Sequence, residues 1–155
     1  MQGDLIFESV PLAEINFKVL QARKGPLCPV VLVVDDERII ADTLAAILEI
    51  SGYASMTAYD GLSAMELAQV IPPDLLISDV VMPGMSGVEL AMALSQSVPD
   101  CKVLLFSGQA ATLDLLSAAR EAGHDFPALT KPVHPRAMLG YVSELVPRYT
   151  SRYLA

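Results

Sequence analysis

The sequence predicts an α/β fold, a doubly wound five-stranded parallel sheet with helices on both faces. Three observations lead there. From Val30 onward short apolar runs alternate with segments of helical period, Gly and Pro punctuate the junctions, and acidic or hydroxyl residues follow the runs instead of interrupting them.

The strand candidates are Val30 to Val34, Tyr53 to Ala58, Leu75 to Ser78, Lys102 to Phe106 and Ala128 to Thr130. Helical period fills the gaps. Ile40, Leu44, Ile47 and Leu48 recur at i, i+4, i+7 and i+8, and Gly52 follows where a helix end favours positive φ. Leu90, Ala91, Leu94 and Val98 repeat the pattern until Pro99 stops it. Pro135 suits a first helical turn, and Met138, Leu139, Val142, Leu145 and Val146 carry the last helix up to Pro147. Five consecutive βα units imply parallel strands, because each crossover returns the chain to the same end of the sheet and lays a helix on one face.

Composition sets the limits. At 155 residues the chain is long enough for one domain with its own core and too short for two ordinary ones. A hydrophobic content of 53% against 18% charged residues argues for a packed globule. No run approaches the roughly 18 apolar residues of a membrane span. The basic and apolar stretch from Arg23 to Val34 ends in Asp-Asp-Glu where a signal peptide needs small residues, so export is rejected. Cys28 and Cys101 have neither metal nor redox spacing, and a reducing cytoplasm is expected. The net charge of −8 repels a phosphate backbone, so no direct DNA binding is expected.

Residues 1–28 lie outside the alternation and read as an N-terminal extension; residues 29–147 form the main domain and 148–155 a C-terminal tail. Pro11 to Lys24 reads as a helix, with Leu12, Ile15, Val19 and Leu20 forming an apolar stripe, although Ile15, Phe17 and Val19 also alternate as in a strand. Such a helix packs on the domain or on a second copy, so a homodimer is one expected state.

The polar residues fall where chemistry is done in this architecture. Asp35 and Asp36 follow the first strand, Asp79 the third, Ser107 the fourth and Lys131 the fifth. Ligands of doubly wound sheets bind outside the carboxyl ends of the strands, where the strand order reverses. Carboxylates about 4 Å apart repel by about 4 kcal/mol at an effective dielectric of about 20, and a divalent cation relieves that cost. Oxygen-only ligation without His or Cys suits Mg²⁺. Asp79 stands apart from the Asp35/Asp36 pair, which makes it the candidate nucleophile for an aspartyl phosphate. Ser107 offers a hydroxyl and Lys131 a point charge for a phosphoryl oxygen.

VVDDE at 33–37, SDVVMPGMSGVEL at 78–90, LLFSGQA at 104–110 and TKPV at 130–133 together resemble the receiver domain of two-component response regulators, the CheY-like family. The resemblance covers roughly residues 29–147. It implies the flavodoxin-like strand order 2-1-3-4-5, which is carried over from the family. It further implies that Asp79 accepts a phosphoryl group from a histidine kinase or histidine phosphotransfer protein. Mg²⁺ would be held by Asp35, Asp36, Asp79 and the Val81 backbone carbonyl. Ser107 would swing toward the phosphoryl group, Lys131 would bind one of its oxygens, and the Lys131–Pro132 peptide would be cis. Gln109 and Val81 would influence dephosphorylation.

One position departs from the family. Receivers carry Tyr or Phe three residues before this lysine as a rotameric switch; here it is Ala128, with Phe126 two residues earlier on the same strand face. About eight residues follow the last helix, so the expected output is a switch in contacts with a downstream protein target and no attached effector domain. Two alternatives remain in view. One is a Mg²⁺-dependent phosphohydrolase with an Asp nucleophile, the other a pseudo-receiver that binds partners without phosphorylation.

Overall fold

The computed structural model describes residues 28–108 and 112–147. The expected helix at Pro11 to Lys24, residue Gln109 and the tail at 148–155 lie outside the described residues.

Among the described residues five strands and five helices alternate: β1 (Val30–Val34), α1 (Arg38–Ile50), β2 (Ala54–Ala58), α2 (Gly61–Val70), β3 (Leu75–Asp79), α3 (Gly87–Ser97), β4 (Lys102–Ser107), α4 (Thr112–Glu121), β5 (Ala128–Thr130) and α5 (Pro135–Leu145). All strand pairs are parallel, and the sheet order is β2-β1-β3-β4-β5. The fold class and strand order are those expected.

Strand side chains point alternately to the two faces, and each face meets its own helices. Leu32, Met56, Leu76 and Leu105 pack with Ala64 and Leu67 of α2, Leu90 and Leu94 of α3 and Ala119 of α4. Val31, Val33, Ile77, Leu104 and Phe106 pack with Ala41 and Leu48 of α1 and with Met138 and Val142 of α5. Because helices cover both faces, β1 is buried along its whole length, which is why VVLVV is an unbroken apolar run and not an alternating one. The methionines behave as packing residues. Met56, Met82 and Met138 are buried, while Met65 and Met92 lie against the core.

Local signals fix the junctions. Gly52 takes φ 97° just beyond α1, as its position predicts. Asp60 accepts from the Ser63 N–H at 2.7 Å and starts α2. Ser86 and Glu89 form a reciprocal cap on α3, with bonds of 3.1 and 3.4 Å. Pro135 opens α5, and His134 caps it by accepting from the Arg136 N–H through Nδ1 at 3.2 Å. The order places β1 and β3 side by side although β2 intervenes in sequence. The chain therefore changes direction across the sheet at β1/β3, and the carboxyl ends of those strands border a crevice.

Candidate functional site

Asp35 follows β1, and Asp79 is the last residue of β3, so the two carboxylates emerge from adjacent strands at that crevice. One oxygen from each of Asp35, Asp36 and Asp79 lies within 4.8 Å of the others. Asp35 is only 1% exposed, Asp79 is half-buried and Asp36 is exposed. The three expected acids are therefore together.

Lys131, just after β5, bridges two of them. Its Nζ lies 3.2 Å from Asp79 Oδ1 and 3.5 Å from Asp35 Oδ2. Burial pushes the Asp35 carboxyl above the usual range, opposed by the Glu37 N–H and Lys131 and reinforced by the charges of Asp79 and Asp36. Burial alone would depress the Lys131 ammonium, but Asp79 and then Asp35 outweigh it and hold its pKa above the ordinary value. The lysine is the cluster's fixed counter-charge.

Asp36 does not act as the helix cap that a short polar residue at a strand-to-helix junction usually provides. The N-cap of α1 is Glu37, with no side-chain cap bond, and Asp35 Oδ1 instead accepts the Glu37 N–H at 2.9 Å. That bond anchors Asp35 and leaves the Asp36 side chain exposed toward the crevice.

A cleft of about 660 Å³ opens over the cluster, lined by Asp36, Asp79 and Lys131 on its polar side and by Ile40, Leu44, Phe106, Pro132 and Val133 on its apolar side. Val81 and Gly108 line it as well. Lys131–Pro132 is the cis peptide expected. Gly87 is where the backbone needs the room. A Cβ there would come within 2.0 Å of the Asp79 carbonyl oxygen, so glycine lets α3 begin against the end of β3 while Gly87 N–H bonds the Val80 carbonyl at 2.8 Å.

Ser107 stands in its resting position. It ends β4, and its hydroxyl is hydrogen-bonded to that of Thr112 at the start of α4. In the register Asp79 pairs with Phe106, the residue before Ser107. Thr112, fully buried, was missed in the sequence because a threonine five residues after the serine carries no motif. Ala128 is exposed on β5, and Phe126 stacks on His124 with ring centroids 5.4 Å apart while packing against the α2/α3/α4 core.

The donor set fits a hard cation. All three candidate ligands are carboxylates, with neither sulfur nor imidazole in the cluster, and the open cleft leaves space for water and a phosphoryl group. No helix among the described residues is long and apolar enough to cross a membrane.

The family model for the response regulator receiver domain matches residues 31–143. A probable transcriptional regulatory protein of Mycobacterium tuberculosis, TcrX, is 36% identical over 102 residues, which are 66% of this chain and 43% of that protein. The response regulator receiver protein CpdR of Brucella abortus is 33% identical over 116 residues, 75% of this chain and 95% of that protein. The chain thus spans less than half of one relative and nearly all of the other. Among solved structures, a CheY-like receiver domain protein from Methanospirillum hungatei superimposes with a TM-score of 0.71 at 27% identity, covering 81% of this chain and 98% of that one. Relatives that are transcriptional regulators lend no support to the expectation that the protein avoids DNA. With its sheet order, its acids at the β1/β3 crevice and a family match over most of its length, the chain belongs to the response regulator receiver domain family of two-component signalling.

Proposed function

We propose that Asp79 accepts a phosphoryl group from the phosphohistidine of a histidine kinase or phosphotransfer protein, and that the resulting acyl phosphate switches contacts with a downstream protein target. The observation that carries this reading is Asp79 itself: a half-buried carboxylate on an open cleft, beside two further acids and 3.2 Å from Lys131. An Asp79 oxygen attacks phosphorus as the P–N bond breaks, and the imidazole leaves with the electron pair and takes up a proton. Lys131 then turns from Asp79 toward a phosphoryl oxygen, so the charge it neutralises moves by only a bond length.

Asp35, Asp36, Asp79 and the Val81 carbonyl are the ligands we assign to Mg²⁺, which when bound neutralises charge on the transferring group. Asp35 is pre-set for this by the Glu37 N–H at 2.9 Å, and Val81 by its place on the cleft wall. The receiver unit is assigned to residues 29–147, in keeping with β1 starting at Val30 and α5 ending at Leu145. We place it in the cytoplasm with its phosphodonor.

Intact mass spectrometry after treatment with acetyl phosphate and Mg²⁺ tests the reading. One phosphoryl adduct, labile to hydroxylamine and absent from Asp79→Asn, is expected. Adduct formation that survives in Asp79→Asn removes Asp79 from the role. Repeated turnover of phosphate esters would instead identify a hydrolase.

A further inference from the structure

We propose that the N-terminal segment of this chain docks on the outer face of α1, residues 11–24 lying along it as an amphipathic helix. The docking does not depend on the role of Asp79.

The outer face of α1 is built unlike a surface that meets only water. Ala41, Ala45 and Leu48 are buried against the sheet, while Ile39, Thr43, Ala46 and Ile50, at i, i+4, i+7 and i+11, form one exposed line on the other side. Ile39 is 81% and Ile50 87% exposed. A solvent face of a helix ordinarily carries charge, and this line carries none. The charged residues Arg38 and Asp42 are engaged beside it, Arg38 with its guanidinium 4.1 Å over the Tyr59 ring and Asp42 accepting from the Tyr59 hydroxyl at 2.7 Å. Single exposed isoleucines are ordinary, but an uncharged line along a whole helix marks a docking face.

The N-terminal segment joins the domain at the foot of that line. Cys28 Sγ donates to the Gly52 carbonyl at 3.3 Å, and the Ala54 N–H bonds the Pro29 carbonyl at 3.0 Å, so the segment departs beside the end of α1 where Ile50 stands. Only Gly25, Pro26 and Leu27 separate Lys24 from Cys28, a reach of about 10 Å. Gly25 and Pro26 suit the end of a helix. A helix from Pro11 to Lys24 would be about 21 Å long, and α1, with 13 residues, is about 20 Å long. Its stripe of Leu12, Ile15, Val19 and Leu20 supplies the apolar side chains that the line on α1 can accept. Charge agrees with this direction. The last turn of α1 has no basic residue, and the segment brings Arg23 and Lys24 to that carbonyl end. Ile40 and Leu44, next to the exposed line, belong to the apolar wall of the cleft. A helix docked beside them extends that wall, and a protein that approaches Asp79 across it meets the segment too.

Hydrogen exchange of the full-length chain, followed by mass spectrometry, tests the docking. A helix this short is marginal in water by itself, so protection of its amides reports packing. Residues 15–24 are expected to exchange at least about tenfold more slowly than unfolded chain, with no change on tenfold dilution of the protein. Ile50→Gln is expected to remove about tenfold of that protection, whereas Ile50→Leu keeps it within about twofold. Glutamine is the better helix former, so on a face that meets only water the substitution would leave α1 intact and the segment unaffected. Val19→Gln should produce the same loss from the other side, and the double variant little more than either alone. Leu62→Gln, at an exposed position of α2, should change nothing in the segment and so controls for general effects. A segment without protection in the wild type, or protection that survives Ile50→Gln, overturns the proposal. Protection that falls on dilution overturns it as well, and assigns the face to a second copy.

Discussion

Two halves of the sheet meet at the site and are built to opposite standards. On one side β1 is buried at every position, with Val30 to Val34 at 1% exposure or less, and it fixes Asp35 through the chain that follows it. On the other, β5 has three residues, two of them exposed, and neighbouring α4 buries only Thr112 and Ala119. The acids thus stand where the backbone is over-determined, which suits charges that must stay close at a cost. Lys131 follows the loosely covered β5, where small movements cost little, whereas Ser107 ends the buried β4.

Core truncations give the largest test of that division. Leu32→Ala in β1, at 0% exposure, is expected to cost about 3–4 kcal/mol, whereas Leu129→Ala in half-buried β5 costs about 1 kcal/mol. Urea midpoints at constant m-value measure both. Comparable losses would erase the contrast between the two ends of the sheet.

Two glycines sharpen it next. Gly87→Ala drives a methyl group into the Asp79 carbonyl oxygen and is expected to destabilise by about 3 kcal/mol, displacing the end of β3. Gly140→Ala in α5 meets nothing within 4 Å and should stabilise by about 0.5–1 kcal/mol through helix propensity. Thermal midpoints moving in opposite directions are the expected result. A tolerated Gly87→Ala would mean that α3 can retreat from the acceptor strand.

Much of this was legible in the residues. Strand spans were readable to within a residue or two because buried parallel strands are short apolar runs with Gly or Pro near their ends. The acids could be placed because each directly follows such a run. What escaped was pairwise. That the Ser107 hydroxyl meets Thr112, and that Asp79 pairs with Phe106, are contacts between segments that no single strand encodes. Its partner Thr112 opens α4, on the next element of the chain. Glu37 rather than Asp36 sits at the cap of α1, and His134 caps α5. In both places the backbone angle at the junction decides among neighbouring polar residues. Likewise, apolar content alone cannot reveal that two of the three β5 residues are exposed.

The charges give effects smaller than the core truncation and the Gly87 clash, and pH separates them. Lys131 has a raised folded pKa, so its pairs with Asp79 and Asp35 contribute fully below the unfolded value of 10.5 and are lost as pH rises through the folded value. Lys131→Met, in EDTA, should therefore cost about 1 kcal/mol at pH 7, and the difference from wild type should shrink above pH 10.5. Asp35 carries the opposite consequence. Its folded pKa also lies above the unfolded 3.8, but for an acid this means the folded state holds the proton more tightly, so stability is lost as pH rises through that window. At pH 7 the metal-free protein bears the whole cost of the buried charge. Asp35→Asn keeps an oxygen for the Glu37 N–H and is expected to raise the urea midpoint at pH 7, with the gain vanishing below pH 3.8. Added Mg²⁺ at about ten times its Kd should stabilise the wild type by about 1.4 kcal/mol and the Asn variant by much less. An Asn variant less stable than wild type at pH 7 would show that Asp35 is held by its partners more strongly than burial penalises it, and that the tightly built half of the site carries no stored charge for a cation to relieve.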